Sequence, residues 1–130
     1  MKKMLITILL IFAMALPLQA IAGVVVGTVQ GFTCVTTGKI CPVDKEDPLV
    51  AATRVFVVKT EGTNYYFVPN LDRALLARYL NKKVRVVGHI NPKYRAITVD
   101  EFQVWKDGKW KTVWNKELED EIRKEFEVGN

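Results

Sequence analysis

The 130-residue chain carries 19 lysines and arginines against 14 acids, a formal charge of +5, and is 49% hydrophobic, with no serine and a single histidine, His89. That length suits one small domain with a thin core. A Ser-His-Asp triad is excluded, and neither a glycine-rich phosphate loop nor a pair of catalytic carboxylates stands out, so the composition points away from an enzyme.

The chain opens MKKMLITILLIFAMALPLQAIAG. Lys2 and Lys3 precede an apolar run from Met4 to Leu16 interrupted only by Thr7; Pro17 ends it, and Ala20 and Ala22 place small residues at −3 and −1. This is the pattern of a cleaved signal peptide, residues 1–22, with the mature chain beginning at Gly23. A membrane anchor needs ~20 unbroken apolar residues. The expectation is therefore an exported protein, periplasmic or secreted, with no membrane anchor after cleavage. The remaining charge is uneven: residues 49–114 hold twelve bases and five acids, residues 115–130 three bases and six acids. So weak a positive balance, in an exported chain, argues against nucleic acid as a partner.

The valine-rich stretch from Gly23 to Val29 predicts a first strand able to bend at Gly27 and Gly31. A loop from Cys34 to Pro48 follows, CVTTGKICPVDKEDP, with the only two cysteines, Cys34 and Cys41. In an exported chain their separation favours a structural disulfide worth roughly 2–3 kcal/mol in the chain-entropy model. A catalytic dithiol has closer spacing at a helix start, so a redox protein working through Cys34 and Cys41 is the alternative. A structural zinc site needs four ligands and finds only His89 beside the two thiols, so no metal is expected. Asp44, Glu46 and Asp47 match no calcium loop and form an acidic rim. Nothing in the pattern points to a cofactor.

TRVFVVKT (53–60) and NYYFVPN (64–70) predict the second and third strands, joined by a turn at Glu61-Gly62-Thr63. Asn70 is placed to cap a helix over LDRALLARYL (71–80), with Asp72 in its first turn and Asn81 as a left-handed stop. KKVRVVGHI (82–90) is a fourth strand, with Val84, Val86 and Ile90 on one side and Arg85 and His89 on the other. In the fifth strand, Arg95–Lys106, Ile97 and Val99 share one parity while Phe102 and Val104 share the other. Strict alternation then requires an extra residue near Asp100-Glu101, a β-bulge. KDGK makes a two-residue Asp-Gly turn that sets Trp105 opposite Trp110, and a sixth strand runs to Trp114. Asn115 caps a last helix, KELEDEIRKEFE, with Leu118, Ile122 and Phe126 as its apolar stripe and Glu119–Arg123 and Asp120–Lys124 as i,i+4 pairs.

The order β-β-β-α-β-β is that of the OB-fold, a five-stranded Greek-key barrel. The prediction is thus a mainly β protein: a five-stranded OB-fold barrel extended by a sixth strand and a C-terminal helix, one domain over residues 23–130. From about Val24 to Trp105, and most closely in NKKVRVVGHINPKYRAITVDEFQV, the chain resembles small exported bacterial OB-fold proteins. OB-folds bind oligomeric ligands on the face of strands two and three and its flanking loops. The resemblance therefore implies a ligand site at Tyr66, Arg85, His89, Lys93 and Tyr94, where rings stack and bases hold charge. The alternative is core plus ordinary surface, with alternation placing Tyr66 on the face opposite Tyr65 and Phe67. Trp105, Trp110 and Trp114 share a face by parity and form either a small core under the last helix or a partner patch. The expected function is an exported, non-catalytic binding or accessory module whose partner is an envelope protein, a saccharide or an anionic small ligand.

Overall fold

The computed structural model describes residues 21–39 and 48–128. The elements are β1 (Ile21–Gly31), α1 (Phe32–Thr37), α2 (Pro48–Ala52), β2 (Phe56–Lys59), β3 (Tyr65–Phe67), α3 (Arg73–Arg78), β4 (Lys83–Asn91), β5 (Ala96–Lys106), β6 (Lys109–Asn115) and α4 (Lys116–Val128). Six strands form one sheet in the order β3-β2-β1-β4-β5-β6. All neighbours are antiparallel, and β3 meets β5 in parallel through Phe67 and Ala96. That last contact joins five strands in a ring and leaves β6 outside it.

Alternation drives the ring. Val29, Val58, Val84, Val86, Ile97, Val99 and Phe102 point inward and are fully buried, and α3 adds Leu76 beneath them, flanked by Leu71 and Leu80. β1 serves two neighbours, pairing with β4 along Ile21–Thr28 and with β2 along Thr28–Gly31. The strand can turn between them because Gly27 lies so close to β2 that a Cβ there would sit 2.2 Å from the Lys59 carbonyl oxygen.

The predicted bulge is present. Val87 pairs with Glu101 and Gly88 with Val99, so Asp100 is the extra residue, and Gly88 again permits close approach, with 2.1 Å between an added Cβ and the Thr98 carbonyl. A second bulge was not signalled by the sequence. Phe102 pairs with Trp114 and Gln103 with Thr112, leaving Val113 over. The hairpin turn takes positive φ at Asp107 and Gly108, 53° and 75°, as a type I′ turn requires.

Several boundaries differ from expectation. Part of the expected loop after β1 is α1, whose Thr37 hydroxyl donates back to the Thr33 carbonyl at 2.6 Å. The second strand starts at Phe56 rather than Thr53, because Thr53 closes α2 by donating from both N and Oγ1 to the Leu49 carbonyl. Arg73 then ties α3 to α2, its guanidinium donating to the carbonyls of Val50, Ala51 and Thr53 at 2.6–3.0 Å.

The helix cap is Asp72, which accepts from Ala74 N at 2.6 Å, not Asn70. Asn70 instead imitates a strand partner. Its amide donates to the Val99 carbonyl and its Oδ1 accepts from Val99 N, both at 2.8 Å. It extends the β3–β5 seam past Phe67, whose N donates to the Arg95 carbonyl at 2.7 Å. Asn81 has φ 61°, the expected left-handed residue before β4.

Candidate binding surface

The outward side chains of β4, β5 and β6 form rows across the sheet. Val26 lies beside Arg85, Arg85 beside Gln103, and Gln103 beside Thr112; one row along, Val24 lies beside Val87, Val87 beside Glu101, and Glu101 beside Asn115. The inward parity of Val84, Val86, Phe102 and Val104 dictates this outer set. Beyond the Arg85 row, Trp105 faces Trp110 across the hairpin, with ring centroids 5.1 Å apart and planes at 68°, the edge-to-face geometry that aromatic quadrupoles favour.

Two cations cover this tryptophan pair. Lys83 Nζ lies 5.4 Å from the Trp105 ring and 5.8 Å from the Trp110 ring, and the Arg85 guanidinium lies 4.7 Å from Trp110. A polar chain fixes Arg85 there. Its Nε donates to Gln103 Oε1, Gln103 Nε2 donates to Glu101 Oε1 at 2.7 Å, and the Thr112 hydroxyl donates to the same Glu101 oxygen. The planar guanidinium is thereby held in one orientation, while Trp105 stays 43% exposed. Lys106, Lys109 and Lys111 are exposed on the opposite face of the hairpin, and among the described residues no carboxylate forms an ion pair with Lys83 or Arg85.

The five residues expected at one ligand site fall in separate places. Arg85 belongs to the tryptophan platform. His89 shares its outer face, and its Nδ1 sits 3.3 Å from Asp100 Oδ2 at the first bulge. Lys93 and Tyr94 lie in the β4–β5 turn, where the lysine ammonium lies 5.3 Å from the exposed Tyr94 ring. Tyr66 is half-buried and packs against the inner core, on the side opposite to Tyr65 and Phe67.

The outer face of β2 and β3 is also occupied by the protein itself. Phe32, the first residue of α1, packs on Tyr65 and Phe67 with centroids 5.4–5.6 Å apart, and Val57, paired with Phe67, is fully buried. Arg95 lies 5.6 Å from the Tyr65 ring. Phe32 had no signal in the sequence, because its segment carried no periodicity.

The three tryptophans do not share a face. The extra residue at Val113 inverts the parity of β6, so Trp114 stands opposite Phe102 and packs toward the core, while Trp105 and Trp110 remain outside. Nor does the last helix form a small core over them. Leu118, Ile122 and Phe126 are 53%, 45% and 75% exposed, and no residue of α4 is buried. The helix is fastened by polar contacts: Asn115 Oδ1 accepts from Leu118 N at 2.7 Å, and Trp114 Nε1 donates to Glu119 at 2.6 Å. Arg123 pairs with Glu119 as expected and also with Asp120, so the expected Asp120–Lys124 pair is absent among the described residues.

Cys34 is buried on α1; its expected bond to Cys41, the acidic rim expected of Asp44, Glu46 and Asp47, and the expected signal segment up to residue 20 lie outside the described residues. Comparison with protein-family models, with curated proteins and with solved structures gives no match.

Proposed function

We propose that the chain is an exported, non-catalytic OB-fold-like module that binds an anionic ligand on the Trp105–Trp110 platform. The observation that carries this reading is a preset cation over an aromatic pair, Trp105 exposed and Trp110 half-buried: Arg85 held by Gln103 against Trp110, with Lys83 beside it. Charge-assisted bonds to phosphate, sulfate or carboxylate groups are the strong ones, and a guanidinium already immobilised loses little freedom on making them. The OB-fold reading is supported by the five-strand ring, by its closure between the third and fifth strands, and by a helix between the third and fourth. Export is supported by the N-terminal pattern; cleavage before Gly23 removes only Ile21 and Ala22 from the described fold, both exposed at the start of β1.

A sulfated oligosaccharide and its desulfated counterpart test the reading, with tryptophan fluorescence as the signal. The sulfated probe binds and shifts the emission, the neutral one does not, and Arg85→Gln weakens binding about tenfold or more, the scale of one hydrogen bond to a charged group. Equal binding of both probes, or an Arg85→Gln protein with unchanged affinity, overturns it.

A further inference from the structure

The polar side of α4, not its apolar stripe, faces the sheet. Lys116, Glu117, Asp120, Glu121 and Lys124 line a cleft of ≈580 Å³ against Val87, Asp100 and Glu101. Leu118, Ile122 and Phe126 recur every four residues on the side left open. At 3.6 residues per turn, Glu119 and Glu125 border that stripe, and Glu121, at the edge of the cleft, lies next round the helix beyond Glu125. Arg123 partly neutralises Glu119, whereas Glu121 and Glu125 form no ion pair among the described residues.

The same outer side of the molecule therefore presents two unlike halves. One is apolar and edged with acid, at α4 over the Val87–Glu101 row. The other is aromatic and edged with base, at Trp105 and Trp110 under Lys83 and Arg85. Each half is the chemical complement of the other. α4 is too tightly joined to β6 to fold back on its own hairpin, since Asn115 ends the strand and caps the helix. A second copy turned through a two-fold axis meets no such constraint, and a surface made of two complementary halves is self-complementary under that operation.

We infer that two copies of the chain associate reciprocally, with the acid-edged stripe Leu118–Ile122–Phe126 of each lying on the Trp105–Trp110 platform of the other. This rests on the proposed anion-binding platform and names an acidic amphipathic helix as one ligand it takes. The dimer buries the platform, so an anionic ligand and the second copy compete for it.

Sedimentation of the purified protein at low salt, over a range of concentrations, tests this. The wild type passes from monomer to dimer as concentration rises, and the dimer weakens as salt screens the opposed charges. Ile122→Glu raises the dimer dissociation constant ~30-fold or more, the scale of losing an interface hot spot. Two charge-reversed proteins sharpen the result: Lys83→Glu with Arg85→Glu, and Glu121→Lys with Glu125→Lys. Each alone is monomeric, and their mixture forms a heterodimer, because both of its contacts are again opposite in sign. Lys83, Glu121 and Glu125 are exposed and Arg85 is half-buried, and circular dichroism confirms that each variant is folded. A wild type that stays monomeric, or a mixture that does not associate, overturns the inference. The Ile122→Glu protein separates it from the platform reading: a monomer that still binds the sulfated oligosaccharide supports both. A monomer that ignores the probe supports the dimer and overturns the platform's preference for small anions.

Discussion

The five-strand ring and the segment beyond it handle apolar residues in opposite ways. The ring buries Val29, Val58, Val84, Val86, Ile97, Val99 and Phe102 completely, whereas α4 carries an equally regular apolar stripe whose residues all stay 45% or more exposed. An amphipathic pattern fixes which side chains share a face; it does not say what covers that face. In the ring the covering comes from strands that alternation forces toward one another. In α4 the helix cap and the Trp114–Glu119 bond hold the helix by polar contacts, and the stripe is left exposed.

The largest expected effect breaks the ring at its centre. Phe102 is fully buried at the junction of the β4–β5 and β5–β6 registers, and Tyr79 packs against its ring at 6.0 Å. Phe102→Ala should cost about 3–5 kcal/mol in urea unfolding, the usual range for emptying a buried aromatic site. A loss under about 1 kcal/mol would show that the ring is not the stable unit. The seam is the next point of attack. In Asn70→Ala the Val99 N–H and carbonyl both lose their partner at a buried residue, at a cost of about 1–3 kcal/mol. Hydrogen exchange should quicken at Val99 and Phe67, and leave the β1–β4 amides comparatively protected; uniform acceleration would contradict a local role.

Most of the ring was legible in the sequence because burial on one face imposes period two. The parity change between Val99 and Phe102 located the first bulge, and Asp107-Gly108 located the hairpin turn. The second bulge was not legible. Val113 lies between Thr112 and Trp114 in a strand that borders only β5, so no second neighbour constrains its parity, and the slip moved Trp114 to the inner side. Asn70 looked like a helix cap because caps and side-chain mimics of a strand use the same amide, and only the position of Val99 separates them. The platform was half legible: Trp105 and Trp110 were singled out together and Arg85 as well, but Arg85 as a member of a different site. Nothing local in the sequence says that Lys83 and Arg85 come within reach of a tryptophan some twenty-five residues later.

The smallest expected effect is the most informative about the helix. Phe126 is a large aromatic residue, and in a helix packed on its own domain its removal would cost several kcal/mol. Here its side chain is 75% exposed, so little apolar surface returns to water in Phe126→Ala. Alanine is also the better helix former, by a few tenths of a kcal/mol, which offsets part of what contact is lost. The expected change in unfolding free energy at dilute protein concentration is within about 0.5 kcal/mol, as for other exposed positions. Urea denaturation read by far-ultraviolet circular dichroism measures it, at concentrations where the protein sediments as a monomer. A loss above about 2 kcal/mol would place Phe126 under cover within the monomer. A change that appears only at high protein concentration would instead put that cover in the second copy, because a contact between copies adds stability by mass action.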